Sequence, residues 1–316
     1  MNTKSNEFRD KAVTNLKKMQ TDICDALENL DQKEKFITDT WSRTDANHTF
    51  DAGGGITRVI TDGNIFEKGG VNFSEVFGTL PEEMSYKLVG KLEKLPFYAT
   101  GTSLVIHPTS PQVPTIHANI RYLEVENKKW VGGGIDLTPY TYNPEIFKNF
   151  HNRLKQVCDE FNLEYYSKFK KECDQYFRIT HRNEARGIGG VFFDYLGKDD
   201  QRNLETYSNF AFAVGHAFNS LYVPIVEATK ELSFSEEQKE FQLIRRGRYT
   251  EFNLIYDRGT LFGLKTGGRI ESILMSLPKF ASWQYDYKEK NEEQKLMNSL
   301  YAFPPEDWST WSATSD

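Results

Sequence analysis

Between residues 99 and 137 three short segments alternate polar and apolar side chains so regularly that a β-sheet with two unlike faces is the structure they fit. In 115–121, Thr115, His117, Asn119 and Arg121 share one parity, and Ile116, Ala118 and Ile120 share the other. Ser103, Val105 and His107 stand against Leu104 and Ile106 in the segment before, and Trp130, Gly132, Gly134 and Asp136 share one side of the segment after. A two-residue turn at Asn127-Lys128 would pair 119 with 136, and pairing 107 with 115 across the Pro-rich stretch 108–114 would set 103 opposite 119. On these registers Ser103, Asn119 and Asp136 align across three strands. One polar side is common in antiparallel sheets, and for any single strand a solvated face suffices. Here, however, the side carries a hydroxyl, an amide, an imidazole and a guanidinium, and Gly132-Gly133-Gly134 lies within the third strand. Glycine weakens a strand unless something approaches the backbone closely, as a flat ligand on the sheet would.

Around this sheet the spacing predicts a helix over about 6–30, with Phe8, Ala12, Leu16, Met19, Ile23, Leu27 and Leu30 on a face that packs on the body or on another subunit. Residues 50–80 read as glycine-rich and irregular, and Pro81 as the start of a helix to about Leu95. Asn143-Pro144 caps a helix whose stripe runs from Ile146 to Phe161. Further helices are expected over 164–177 and 202–232, the latter broken at Pro224, and from the capping box Ser235–Gln238. A buried strand is expected at 191–196, and more strands at 249–257, 260–265, 270–277 and 281–287. No linker divides these elements and no βαβ alternation appears, so residues 1–316 read as one α+β domain, the first helix being an extension of it.

Charge narrows the ligand class. The chain of 316 residues carries 39 Lys and Arg against 45 Asp and Glu, a net charge of −6, which argues against nucleic acid. Yet Arg182, Arg186, Arg245, Arg246, Arg248, Arg258 and Arg269 gather in or beside glycine turns at 181–190, 245–260 and 266–272. Arginine forks grip carboxylates, so an acidic protein with a local arginine set points to a polyanionic small molecule. Ion pairs with Glu184, Glu251, Asp257 and Glu271 are the competing use of each arginine. Of the six histidines, His48, His107, His117, His151, His181 and His216, the pair His107 and His117 shares the polar sheet face. His216 and His151 lie on apolar helical patterns, and no HExxH or Cys–His spacing marks a zinc site. Three sparse cysteines, no apolar h-region and no run of 18 apolar residues lead to a cytoplasmic, non-membrane expectation.

Five ordered motifs carry a resemblance: FYATGTSLVIHP at 97–108, PTIHANIRYLEVE at 114–126, WVGGGIDLTPY at 130–140, HRNEARGIGGVFFD at 181–194 and RRGRYTEFNLIYDRGTLFGLKTGGRIESILMSLP at 245–278. Over nearly the whole chain the sequence resembles the oxygen-dependent coproporphyrinogen III oxidases. The resemblance implies a large antiparallel sheet with helices on both sides, a homodimer joined through 249–284 and about 71–80, and no organic cofactor. It implies that molecular oxygen, as co-substrate, converts the ring A and B propionates of coproporphyrinogen III to vinyls. It also implies His117 as proton donor and Asp136 as the carboxylate that holds pyrrole N–H groups. Ser103, Asn119, Ile120, Arg121, Gly267, Gly268 and Arg269 would bind substrate, with Arg121 and Arg186 on propionates. A divalent metal on His107, His117, His151 and His181 is implied as well, although spacing alone brings only the first two near each other. The alternatives are a tetrapyrrole carrier without turnover and a metal-dependent oxygenase.

Overall fold

The computed structural model describes residues 3–44, 51–265 and 267–310. Seven strands form one antiparallel sheet in the order β1 (Ile37–Thr44), β2 (Asp51–Thr61), β3 (Phe66–Leu80), β4 (Leu95–Pro108), β5 (Thr115–Val125), β6 (Lys128–Thr138) and β9 (Gly189–Leu196). The short strands β7 (Arg178–Ile179) and β8 (Glu184–Ala185) pair separately.

The apolar parity of the sheet meets one helical layer. Here α1 (Thr3–Asp31), α3 (Pro144–Asp159), α4 (Tyr165–Tyr176), α5 (Leu204–His216) and α6 (Phe218–Thr229) share a core with Leu104, Ile106, Ile116, Ala118, Ile120, Ile135, Val191 and Phe193. The stripe of α1 from Ala12 to Leu30 is buried on the body of the protein, not held out for another subunit. Gln20 on α1 also donates to the carbonyls of Ile56 and Val71, at 2.7 and 2.8 Å. At its C-terminal end, Asp31 accepts backbone N–H groups from Asn64, Ile65 and Phe66, fastening the β2–β3 turn. Opposite this layer, α7 (Glu236–Ile255), α8 (Arg258–Lys265) and α9 (Ile270–Leu274) roof the polar face, as the ties Thr57–Ser272 and Arg186–Asn253 show. The helices α2 (Glu82–Val89) and α10 (Glu292–Leu300) complete the fold.

Several expectations are corrected. Residues 51–61 and 66–80 form two long strands, and glycine there makes room for neighbouring elements: a Cβ on Gly70 would lie 2.5 Å from Sδ of Met275, at the end of the roof helix α9. The strands expected over 249–277 are helices, and 281–287 holds no strand. The capping box at Ser235 starts one helix of 20 residues whose buried stripe includes Gln242, Arg245, Arg246 and Asn253, polar residues that hide its 3.6-residue period. Pro81 precedes α2 as its N-cap, and the helix stops at Gly90, whose φ is 75°. The long helix breaks at Ala217 and not at Pro224, which lies inside α6. The missing Pro224 N–H leaves the Ser220 carbonyl to accept from Arg153 Nη1 at 3.0 Å.

Candidate active site

The register across β3–β6 decides which polar side chains meet. Asn72 faces Ser103, Ser103 faces Asn119, and Asn119 faces Gly134. Asp136 faces His117, two places from its expected partner Asn119. The turn uses Glu126 and Asn127, with Glu126 at φ 54°, so Val125 pairs with Lys128. Because side chains alternate with period two, this two-residue shift keeps Asp136 on the predicted face and changes only its neighbour.

Two connected chambers open between this face and the roof. The inner one, about 180 Å³, is lined by His117, Arg186, Gly133, Gly134, Asn253 and Asp257, among others. The outer one, about 570 Å³, is lined by Trp41, Met84, Leu123, Trp130 and Phe262 among its apolar groups. Both are bounded by Asn72, Ser103, Asn119, Arg121, Gly259 and Ser272, which therefore form the neck. Six cationic side chains line the outer chamber: Arg43, Lys87, Arg121, Arg258, Lys265 and Arg269. Among the described residues Asp194 is its one acid. Such a chamber suits a large, partly apolar polyanion.

At the inner chamber His117 Nδ1 is 2.8 Å from Asp136 Oδ1, and Arg186 Nη2 is 2.7 and 2.8 Å from the two Asp136 oxygens. Arg186 Nη1 donates to Asn253 Oδ1 at 3.0 Å, and its guanidinium lies over the rings of Phe177, Tyr249 and Phe252. Burial pushes the Asp136 carboxyl up, but the Arg186 charge and the His117 hydrogen bond outweigh it and hold the pKa below the usual carboxylate range. Asp136 is therefore a buried, ionised carboxylate with a side chain only 2% exposed, and it lines neither chamber. The expected contact of this carboxylate with pyrrole N–H groups is thus not prepared in this structure. Two polar atoms are better placed for the cavity. His117 lines the chamber, and its Nε2 makes no hydrogen bond among the described residues. Asn119 Oδ1 is buried at the neck and has no hydrogen-bond partner among the described residues.

Other expected site residues divide. Ser103, Asn119 and Arg121 line both chambers, while Gly268 and Arg269 line the outer one. Gly267, with φ 68°, makes the turn before them, and Arg269 pairs with Asp39. The Ile120 side chain is a correction: it has the opposite parity, is fully buried against the helical layer, and would lie 2.8 Å from a Cβ on Gly215. Arg186 does bound the inner chamber, but Nε, Nη1 and Nη2 each already donate to Asp136 or Asn253, so a propionate there would compete with those acceptors.

The four histidines of the implied metal set do not converge. His107 is buried, 2.9 Å from the Ser276 carbonyl, and burial and then the Arg246 charge hold its pKa well below the ordinary value. His151 lies in the helical layer between Tyr166 and the Ile188 carbonyl, its pKa lowered to about 3 by burial and by Lys170. His181 binds Tyr256 and Glu251 at the protein surface. Among the described residues no group of three or more His, Cys, Asp or Glu is placed to hold a metal ion. His48 lies outside the described residues.

Sequence reasoning overlooked Asn72, Asp194, Asn253 and Ser272. Asn253 and Ser272 sit in segments read as strands, so their helical faces were not visible; Asp194 lies near the end of the buried strand and carried no pattern of its own.

A family model described as coproporphyrinogen III oxidase matches residues 11–308. The chain belongs to that family. It is 46% identical to coproporphyrinogen-III oxidase 1, chloroplastic, of Arabidopsis thaliana over 320 residues, covering 96% of this chain and 80% of the relative. An oxygen-dependent coproporphyrinogen-III oxidase of Drosophila melanogaster is 49% identical over 305 residues, covering 92% and 75%. A third, from Prochlorococcus marinus (strain NATL2A), is 42% identical over 334 residues, covering 98% and 93%. The family match spans every strand of the main sheet and all the lining residues named above.

Proposed function

We propose that this chain oxidatively decarboxylates the ring A and B propionates of coproporphyrinogen III to vinyl groups, giving protoporphyrinogen IX with O₂ as the electron acceptor. The observation that carries the reading is the union of a cationic outer chamber with a small inner chamber lined by His117 and Arg186, both bound to the buried Asp136 behind them. The outer chamber holds the macrocycle and its carboxylate arms.

Each conversion removes CO₂, a proton and an electron pair from one propionate carboxylate, and O₂ takes up the electrons with that proton and one more from solvent, leaving as hydrogen peroxide. The macrocycle is electron-rich, so the protein's contribution is placement and control of protons. Arg121 and Arg269 receive propionates. Asn119 Oδ1 accepts a hydrogen bond from a pyrrole N–H, satisfying an acceptor that has no partner among the described residues. His117 exchanges the proton through Nε2. Asp136 acts through His117: it fixes the ring and stabilises its protonated form, while Arg186 keeps Asp136 charged.

The regions 249–284 and 71–80 serve a homodimer in this reading. Leu254, Ile255, Ile270, Phe280 and Trp283 are exposed apolar side chains of the first region, and Gly78 and Thr79 are exposed in the second. A sedimentation experiment returning only monomer at micromolar concentration would remove the dimer. No helix among the described residues is long and apolar enough to cross a membrane. The three buried, free thiols support a cytoplasmic setting. Incubating purified protein with coproporphyrinogen III in air and then oxidising the products should yield protoporphyrin fluorescence. Bound substrate recovered unchanged would leave a carrier instead of an enzyme.

A further inference from the structure

We propose that Asp194 is a positioning residue for substrate carboxylates, holding Arg121 and setting its spacing from Arg258 at the neck between the chambers. The inference rests on the reading of the outer chamber as a tetracarboxylate site.

Asp194 lies near the end of β9 with a side chain 14% exposed. Its Oδ1 accepts the Tyr195 N–H at 2.9 Å, and Tyr195 has φ 57°, a left-handed kink within the β9 bulge, where Asp194 and Tyr195 together stand opposite Gly132 between the pairs Val131–Leu196 and Gly133–Phe193. Its Oδ2 accepts from Arg121 Nη2 at 2.7 Å and lies 3.7 Å from Arg258 Nη2. One carboxylate oxygen thus faces two guanidinium groups on different elements. Arg258 is also laid over the rings of Tyr176 and Phe192, at 4.7 and 5.6 Å. The contact to Arg121 is monodentate. Among the described residues the Arg121 side chain makes no other hydrogen bond, so its remaining donors are available to a ligand.

Gly132 supplies an independent sign that the pair is built in. It sits opposite Arg121 in the β5–β6 ladder, and a Cβ there would lie 2.5 Å from Asp194 Oδ1 and 3.0 Å from Arg121 Nε. The first glycine of the triplet therefore clears space for an ion pair that crosses over β6 from β5 to β9, where the sequence suggested space for a ligand. Asp194 is moreover an acid in a chamber whose other charged lining groups are cationic. If bulk electrostatics set affinity, removing it would tighten binding of a polyanion. If it sets geometry, removing it lets two like charges separate and weakens binding.

The test is Asp194→Asn, with KM and kcat measured on coproporphyrinogen III. In parallel, Kd is measured by fluorescence titration of coproporphyrin, the oxidised and unreactive tetracarboxylate. KM and Kd should both rise about tenfold while kcat stays within about threefold, the signature of lost uniform binding. Gly132→Ala, which crowds the pair without removing the charge, should move Kd in the same direction and guards against a folding defect in the first variant. Added to Arg121→Gln, the Asp194→Asn change should alter Kd by less than about twofold, because the partner it positions is gone. A Kd unchanged or lowered in Asp194→Asn, or a full additive effect in the double variant, would overturn the proposal. Wild-type protein that binds coproporphyrin but does not turn over coproporphyrinogen III would instead retract the catalytic reading, and the Kd series would still decide the role of Asp194.

Discussion

Arg186 and Asp136 form a buried ion pair in which one guanidinium nitrogen reaches both carboxylate oxygens, at 2.7 and 2.8 Å, with both side chains at most 2% exposed. Three aromatic rings enclose the cation, the nearest that of Phe177 at 3.9 Å. Removing either partner leaves the other charged and without water. Asp136→Asn or Arg186→Met alone should therefore each lower unfolding free energy by about 3–5 kcal/mol. The double variant should recover most of that stability, because a neutral pair can replace a buried ionic one. It should not recover turnover, because His117 would still lack its carboxylate. Urea unfolding of the three variants beside their kcat values checks this; a double variant that is stable and active would take Asp136 out of the mechanism.

His117 bridges the ion pair and the chamber. Its side chain is 17% exposed and touches the edge of Phe177, so its loss opens little space. His117→Gln should reduce kcat by about 10²–10⁴-fold, the usual worth of a general acid–base group. KM should change little, since the arginines and Asn119 remain. A loss confined to KM would reassign His117 to binding.

How far the site was legible follows from these residues. Parity alone put Ser103, His117, Asn119, Arg121 and Asp136 on one face, because alternation is a local property of a strand. The partner of Asp136 was not legible: whether the turn uses 126–127 or 127–128 depends on Glu126 adopting a left-handed conformation, which its side chain does not announce. The roof was hidden for a different reason. In α7 the inward stripe carries Arg245, Arg246 and Asn253, so the helical period exists in burial and not in hydrophobicity. The propionate role of Arg186 came from the family resemblance; its own residues left the choice open, because an arginine beside glycines looks alike from sequence whether it meets a substrate or an internal carboxylate.

Metal dependence separates the remaining readings of the histidines. His107, His151 and His181 each spend ring nitrogens on separate local partners: Ser276, Tyr166 with Ile188, and Tyr256 with Glu251. Protein exhaustively treated with a chelator should keep its aerobic rate within about twofold, whereas removal of O₂ should abolish product. Loss of activity on chelation, restored by one divalent ion, would revive a metal role.

Asp31 offers a test of the fold away from the chemistry. Its carboxylate accepts from the N–H groups of Glu34, Asn64, Ile65 and Phe66 at 2.9–3.1 Å, joining the end of α1 to the β2–β3 turn. Burial raises its pKa, but these hydrogen bonds prevail and set it below the ordinary value of 3.8. A carboxyl depressed in the folded state stabilises it fully above the unfolded pKa of about 3.9 and loses that contribution as pH falls through the folded value. Asp31→Asn keeps the shape but replaces one acceptor oxygen by a donor and removes the charge. It should cost about 2–4 kcal/mol at pH 7, in line with net values for hydrogen bonds to charged groups. The gap between wild type and variant should hold from pH 8 to about 5 and narrow below about 4, where the wild-type group takes up its proton. Denaturant midpoints across that range measure it. A gap as wide at pH 2 as at pH 7 would mean that packing around Gly63, where a Cβ would strike the Asp31 carboxylate, holds this corner together and not the ionised oxygen atoms.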